Sequence, residues 1–189
     1  MTAKKVLVIL APGAEEMETV ISVDVLRRGG LEVVLAGLNG EDPVLCSRNV
    51  KICPDTSLAD ARGRGPYDCI LLPGGGQGAE ALGASKEVGG MLGEQDREGR
   101  MVAAVCAAPT ALASHQIGVG RSVTSYPAPA FKEKLESAGY KYIDDMVVVD
   151  KNIVTSRGPG TSFQFALEIV KILVSQEKCE EVRQAMLVE

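Results

Sequence analysis

A single histidine, five cysteines without CxxC spacing and no apolar run of membrane length set the first limits on this chain of 189 residues. With His115 as the only imidazole, a metal centre built on several histidines is excluded, and a Cys–His dyad has one candidate base. Cys46, Cys53, Cys69, Cys106 and Cys179 are odd in number and wrongly spaced for a zinc ribbon or a disulfide frame. They read as reduced thiols of a cytosolic compartment. No run approaches the roughly 18 apolar residues of a membrane span. The opening Met1-Thr2-Ala3-Lys4-Lys5 leads into a strand-like run without a cleavable signal pattern, so a cytoplasmic location is expected. Net charge is −5 with lysine and arginine scattered, which gives no nucleic-acid footprint. No repeat, low-complexity tract or linker breaks the chain, so residues 1–189 read as one domain.

What is present is an alternation of strand and helix patterns. Lys5 to Leu10, Leu31 to Leu38, Tyr67 to Leu72 and Met101 to Val105 are short apolar runs of the kind buried on both faces of a sheet. Met146 to Asp150 and Asn152 to Ser156 read as a strand pair, and Pro43 to Cys53 as a short hairpin. Between them, Glu15 to Arg28, Lys86 to Glu98, the segment after Cys106, Phe131 to Ala138, a helix opened by a capping box at Thr161-Ser162-Phe163-Gln164, and Glu177 to Leu187 read as helices. Such alternation implies an α/β fold with a mostly parallel sheet and helices on both faces. Function then belongs in the crevice beyond the strands' carboxyl ends.

Three of those ends carry unusual chemistry. After the first strand comes Pro12-Gly13-Ala14-Glu15-Glu16-Met17-Glu18. Glu15 and Glu16 are explained by helix capping, whereas Glu18 adjoins the apolar stripe and is a candidate site carboxylate. After the third comes Pro73-Gly74-Gly75-Gly76-Gln77-Gly78, whose backbone N–H groups could form an oxyanion nest. Gly74, Gly76 and Ala79 also fit the dinucleotide pattern G-x-G-x-x-A. That match is weak, because the loop follows a middle strand and the acidic residue expected at the end of the next strand is absent.

The third end is Cys106, between Met101-Val102-Ala103-Ala104-Val105 and the Pro109-led segment. A cysteine at a strand-to-helix turn faces out of the sheet, against the N–H groups of a helix start. That field is expected to bring its pKa from about 8.5 to roughly 3.5–7.5. His115 lies nine residues further on. On one helix that is about 13 Å at 1.5 Å per residue, against the roughly 3 Å a proton transfer needs. His115 therefore reads as a helix-end surface residue, and a carboxyl such as Glu18 must serve the sulfur.

These residues together resemble one family. The segments Gly13-Ala14-Glu15-Glu16-Met17-Glu18, Leu71-Leu72-Pro73-Gly74-Gly75, Ala104-Val105-Cys106-Ala107-Ala108-Pro109-Thr110 and Thr155-Ser156-Arg157-Gly158-Pro159-Gly160-Thr161 look like the Parkinson disease protein 7 family of the ThiJ/PfpI superfamily. The resemblance implies a flavodoxin-like three-layer α/β sandwich, a homodimer, and a reactive Cys106 paired with Glu18. It implies backbone oxyanion donors at Gly75 and Ala107, and a pocket including Gly74, Tyr126, Arg157 and Pro159. Met17, Asp24, Arg28, Arg48 and Cys53 match the family's dimer surface. The activities it implies are glyoxalase or deglycase chemistry on small dicarbonyls such as methylglyoxal, without cofactor or metal, together with oxidation sensing and chaperone action on client proteins. It adds nucleus and mitochondrion as compartments. One departure stands out: Ser125-Tyr126-Pro127 replaces the family's Thr-His-Pro. At a pKa of about 10, Tyr126 is a poor base near neutrality. A His-assisted protease is thereby disfavoured and a Glu18-assisted reaction is not. The competing readings are a non-enzymatic redox sensor and, on the glycine loop alone, a nucleotide-binding module.

Overall fold

The computed structural model describes residues 3–188. Its central sheet has seven strands: β1 (Lys5–Leu10), β2 (Glu32–Gly37), β5 (Thr56–Ser57), β6 (Cys69–Leu72), β7 (Met101–Val105), β10 (Val147–Asp150) and β11 (Ile153–Ser156). Their spatial order is β10-β11-β7-β6-β1-β2-β5. All neighbours run parallel except the edge strand β10, which pairs antiparallel with β11. The expected mixed α/β architecture with a mostly parallel sheet is what forms.

Alternation along β1 explains the layers. Val6, Val8 and Leu10 enter one core with Val25 and Leu26 of α1 (Glu16–Arg28) and Phe165, Ile169 and Val170 of α7 (Ser162–Leu173). Leu7 and Ile9 enter the other core. They meet Leu82 of α3 (Gly76–Ala84), Val88 and Leu92 of α4 (Lys86–Arg97), and Leu112 of α5 (Pro109–His115). A strand buried on both faces cannot show a polar face, which is why these runs read as continuously apolar. Pairs of cross-strand neighbours then fix the register, Val6 opposite both Val33 and Cys69. Smaller elements complete the chain: the hairpin β3 (Val44–Leu45) and β4 (Lys51–Ile52), α2 (Leu58–Arg62), the pair β8 (Ser122–Val123) and β9 (Lys141–Tyr142), α6 (Pro129–Ser137) and α8 (Gln176–Ala185). No helix among the described residues is long and apolar enough to cross a membrane.

Several local expectations need correction. Glu15 is the N-cap of α1 rather than its first residue, accepting the Glu18 N–H at 2.8 Å. The Gly76-Gln77-Gly78 run, read as loop, is the first turn of α3. Thr161 makes no side-chain cap for α7; its hydroxyl is engaged with Ser156 Oγ and the Gly158 carbonyl instead, so the expected capping box does not form. His115 is half-buried rather than a surface residue, with Nε2 2.9 Å from the Leu82 carbonyl. Cys46 is buried in the β3–β4 hairpin, while Cys53 is exposed.

Candidate active site

The order β11-β7-β6-β1 places four parallel strands side by side, so four of their carboxyl-end loops meet over one edge of the sheet. Chain order reverses between β1 and β6: β1 leads to β2 on one side, and β6 lies on the other. This is the crevice position expected of an open α/β sheet. The β1 loop delivers Glu18, the β6 loop Gly74 and Gly75, the β7 loop Cys106 and Ala107, and the β11 loop Gly158.

Cys106 sits on a tight turn with φ +62°, in the left-handed region. A side chain there costs about 1–2 kcal/mol. The turn is held from both ends, the Cys106 N–H donating to the Ser156 carbonyl at 2.9 Å and the Tyr126 N–H to the Cys106 carbonyl at 2.9 Å. Backbone N–H groups of Gly75 and Ala107 donate to the sulfur.

Glu18 is fully buried on the inner side of α1. Its Oε2 accepts the Gly74 N–H at 2.8 Å. Its Oε1 is buried without a conventional hydrogen-bond partner, and the side chain that interacts with this carboxyl is Cys106. Gly74 makes the approach possible. A Cβ there would lie 2.6 Å from Cys106 Cβ and 2.7 Å from Glu18 Oε2. Gly75 adopts φ +83°, the left-handed backbone that turns its N–H toward the sulfur.

Electrostatics here depart from the expected depressed thiol. Burial pushes Cys106 up to about 12, the Glu18 charge adds to the rise, and the Gly75 and Ala107 N–H groups only partly offset it. Helix α5 begins at Pro109, so the sulfur is held by turn amides rather than by a helix start. Burial also pushes Glu18 up to about 7, against the Gly74 and Cys106 hydrogen bonds. Two acids in contact share these protons. The pair therefore loses a first proton near 7, and the second is withheld because it would place two negative charges side by side. A protonated Glu18 against a thiolate and an ionised Glu18 against a thiol are the two forms of that singly charged pair.

The outer pocket is looser. Tyr126 is 49% exposed, with its ring next to Gly158. Arg157 pairs with Asp144 at 2.9 Å, and Pro159 opens a short 3-10 turn. A Cβ at Gly78 would meet Ala14 Cα at 2.9 Å, so the β1–α1 loop packs closely against the start of α3. Met17, Arg28, Arg48 and Cys53 lie exposed on the outside, with Asp24 half-exposed and paired to Arg28 at 3.1 Å. Among the described residues no group of three or more His, Cys, Asp or Glu could hold a metal ion.

Sequence reasoning missed Glu16. It is buried one residue before Met17 and accepts Ser47 Oγ and the Arg48 N–H, each at 2.8 Å. It latches the β3–β4 hairpin to α1. Its place in a first helical turn hid this role, since capping sufficed to explain it.

The DJ-1/PfpI family model matches residues 4–172. Protein DJ-1alpha of Drosophila melanogaster is 56% identical over 188 residues, covering 98% of this chain and 84% of that protein. A Caenorhabditis elegans protein named glutathione-independent glyoxalase DJR-1.2 is 42% identical over 180 residues, covering 94% of each. The crystal structure of Drosophila melanogaster DJ-1beta superposes with a TM-score of 0.95 at 51% identity, covering 100% of both chains. With its fold, its carboxyl-edge loops and its near full-length relatives in agreement, the chain belongs to the DJ-1/PfpI family.

Proposed function

We propose that this protein is a cysteine-dependent glyoxalase or deglycase acting on methylglyoxal-type dicarbonyls and their adducts. The observation that carries the reading is the buried Glu18–Cys106 pair with Gly75 and Ala107 N–H groups at the sulfur. A glyoxalase name on a 42% identical relative supports it.

The steps balance without an external oxidant or reductant. Cys106 sulfur bonds to the aldehyde carbon, and its proton passes to Glu18. Glu18 hands that proton on to the oxygen of the new hemithioacetal, whose developing charge the Gly75 and Ala107 N–H groups hold. Glu18, ionised again, then removes the hydrogen on the former aldehyde carbon and returns it to the neighbouring ketone carbon, while the hemithioacetal hydroxyl proton passes to the ketone oxygen. One carbon is oxidised and the other reduced, leaving a thioester. Water cleaves the thioester to lactate and restores the thiol. Glu18, poised near 7, is matched to both directions of proton transfer at neutrality. With an amine adduct, the same attack ends in cleavage of the carbon–nitrogen bond. Cys106→Ser and Glu18→Gln proteins, incubated with methylglyoxal and assayed for lactate, test the assignment. Turnover is expected to be lost in Cys106→Ser and strongly reduced in Glu18→Gln, and lactate unchanged by Cys106→Ser overturns it.

Oxidation sensing is the second reading, favoured by the N–H donors around a partly open thiol. Cys106 is partly open and ringed by N–H donors, whereas Cys46, Cys69 and Cys179 are buried. Two equivalents of peroxide would convert the thiol to a sulfinate and release two waters. Intact mass after mild peroxide should show two added oxygens on Cys106 first. Earlier oxidation of Cys53 counts against it. A homodimer belongs to the same proposal, supported by exposed Met17, Val20, Leu45 and Val50 on and beside α1. Sedimentation of Met17→Glu as a monomer is the expected result.

A further inference from the structure

Next to the segment that follows Tyr126 lies a cleft of about 280 Å³ lined by Pro127, Ala128, Pro129, Lys132, Tyr142 and Asp144. It is bonded to the reactive turn. The Tyr142 hydroxyl donates to the Ser125 carbonyl at 3.3 Å, the Tyr126 N–H donates to the Cys106 carbonyl at 2.9 Å, and the Ala128 N–H donates back to the Tyr126 carbonyl at 2.8 Å. The cleft and Cys106 thus share one short stretch of backbone, and Tyr126 within that stretch is exposed.

Its chemistry is amphipathic. Two proline rings and a phenol ring supply apolar wall. The Lys132 ammonium lies 5.4 Å from the centre of the Tyr142 ring, a cation over an aromatic face. Asp144, the carboxylate lining the cleft, is engaged by Arg157 at 2.9 Å. The competitor for Lys132 is Glu136 at 3.8 Å, a half-exposed pair of the kind that contributes little. The cleft therefore offers an anion site at the end of an apolar surface.

Resting on the adduct chemistry proposed above, we infer that this cleft holds the carrier of the adduct. That carrier is an amino-acid residue whose aliphatic chain lies on Pro127, Pro129 and Tyr142 and whose free carboxylate meets Lys132. Methylglyoxal itself has no such group and leaves the cleft unused. The cleft selects substrates by what the carbonyl is attached to.

Two measurements separate this inference from the reading beneath it. First, two-dimensional NMR on the intact protein follows titration with Nα-acetylnorleucine and with its amide, which carry the chain but no reactive amine. The carboxylate form is expected to shift signals of residues 127–132 and Tyr142, with about tenfold tighter binding than the amide, as one charge-assisted hydrogen bond supplies. Lys132→Met should erase that preference and Lys132→Arg should keep it. Equal binding of the two forms, or shifts elsewhere only, overturns the inference whatever the enzyme does with methylglyoxal. Second, the methylglyoxal adducts of Nα-acetyllysine and its amide are compared as substrates. The kcat/KM ratio is expected near ten in the wild type and near one in Lys132→Met, and a ratio near one in the wild type overturns the inference. Absence of any turnover of methylglyoxal would overturn the proposed function and leave the binding result to decide the cleft.

Discussion

Gly74 donates its N–H to Glu18 Oε2 at 2.8 Å, on the same carboxyl that interacts with Cys106. A carboxyl fixed by one oxygen cannot rotate away from the sulfur. The pair it forms with Cys106 releases a first proton near 7.

The first prediction concerns the pH profile. If the singly charged pair is the working form, kcat/KM with methylglyoxal rises with pH through about 7. Glu18→Gln should lower it by about 10²–10⁴, the usual worth of a positioned base, and remove the inflection. An inflection that persists in Glu18→Gln assigns that titration to another group.

Stability should follow the same carboxyl. The folded Glu18 value, about 7, lies above its ordinary value of 4.5. Its contribution is therefore fully present below 4.5 and lost as pH rises through about 7. Urea unfolding of wild type and Glu18→Gln should diverge across that window, the variant gaining up to about 3 kcal/mol relative to wild type at the alkaline end. Parallel pH curves contradict the assignment.

Backbone strain at Cys106 predicts an inverted order of two small residues. At φ +62°, Cys106→Gly should be more stable than Cys106→Ala by about 1 kcal/mol, the reverse of their usual ranking. Thermal or denaturant unfolding of the two variants checks this.

The three consecutive glycines should give three different results with alanine. Gly74→Ala drives a methyl into Cys106 Cβ and Glu18 Oε2, so activity falls even where the fold survives. Gly75→Ala adds a left-handed penalty of about 1–2 kcal/mol and crowds the Gly13–Ala14 backbone, so both stability and activity fall. Gly76→Ala meets nothing within 4 Å in the first turn of α3 and should be neutral or stabilising by up to about 1 kcal/mol. Unfolding and lactate assays on the three proteins separate these outcomes.

Legibility tracked locality. β1 and β7 were readable to the residue, because a strand between two helical layers is apolar at every position. The Cys106 turn followed from the same contrast between an apolar run and the proline after it. Helix α3 was hidden, since Gly76 and Gly78 have low helix propensity, and the close approach of Ala14 to Gly78 is not visible in the local sequence. Tyr126 and Arg157 came from resemblance; no local pattern ties Ser125-Tyr126-Pro127 to Cys106, and the bond between them spans two elements. The direction of the thiol shift was misread because counting N–H groups omits the cost of burying the charge, which dominates here.

Helix α1 presents Glu18 to the interior, while Met17, one position earlier, and Val20, two positions later, stand more than half exposed on its outer surface. A rigid rod transmits a tilt from one side to the other. Surface substitutions at Met17 or Val20 that leave melting behaviour untouched should still alter the reach of the carboxyl to its sulfur. Variants on the outside of this helix belong with those of the reactive centre when their effects are interpreted.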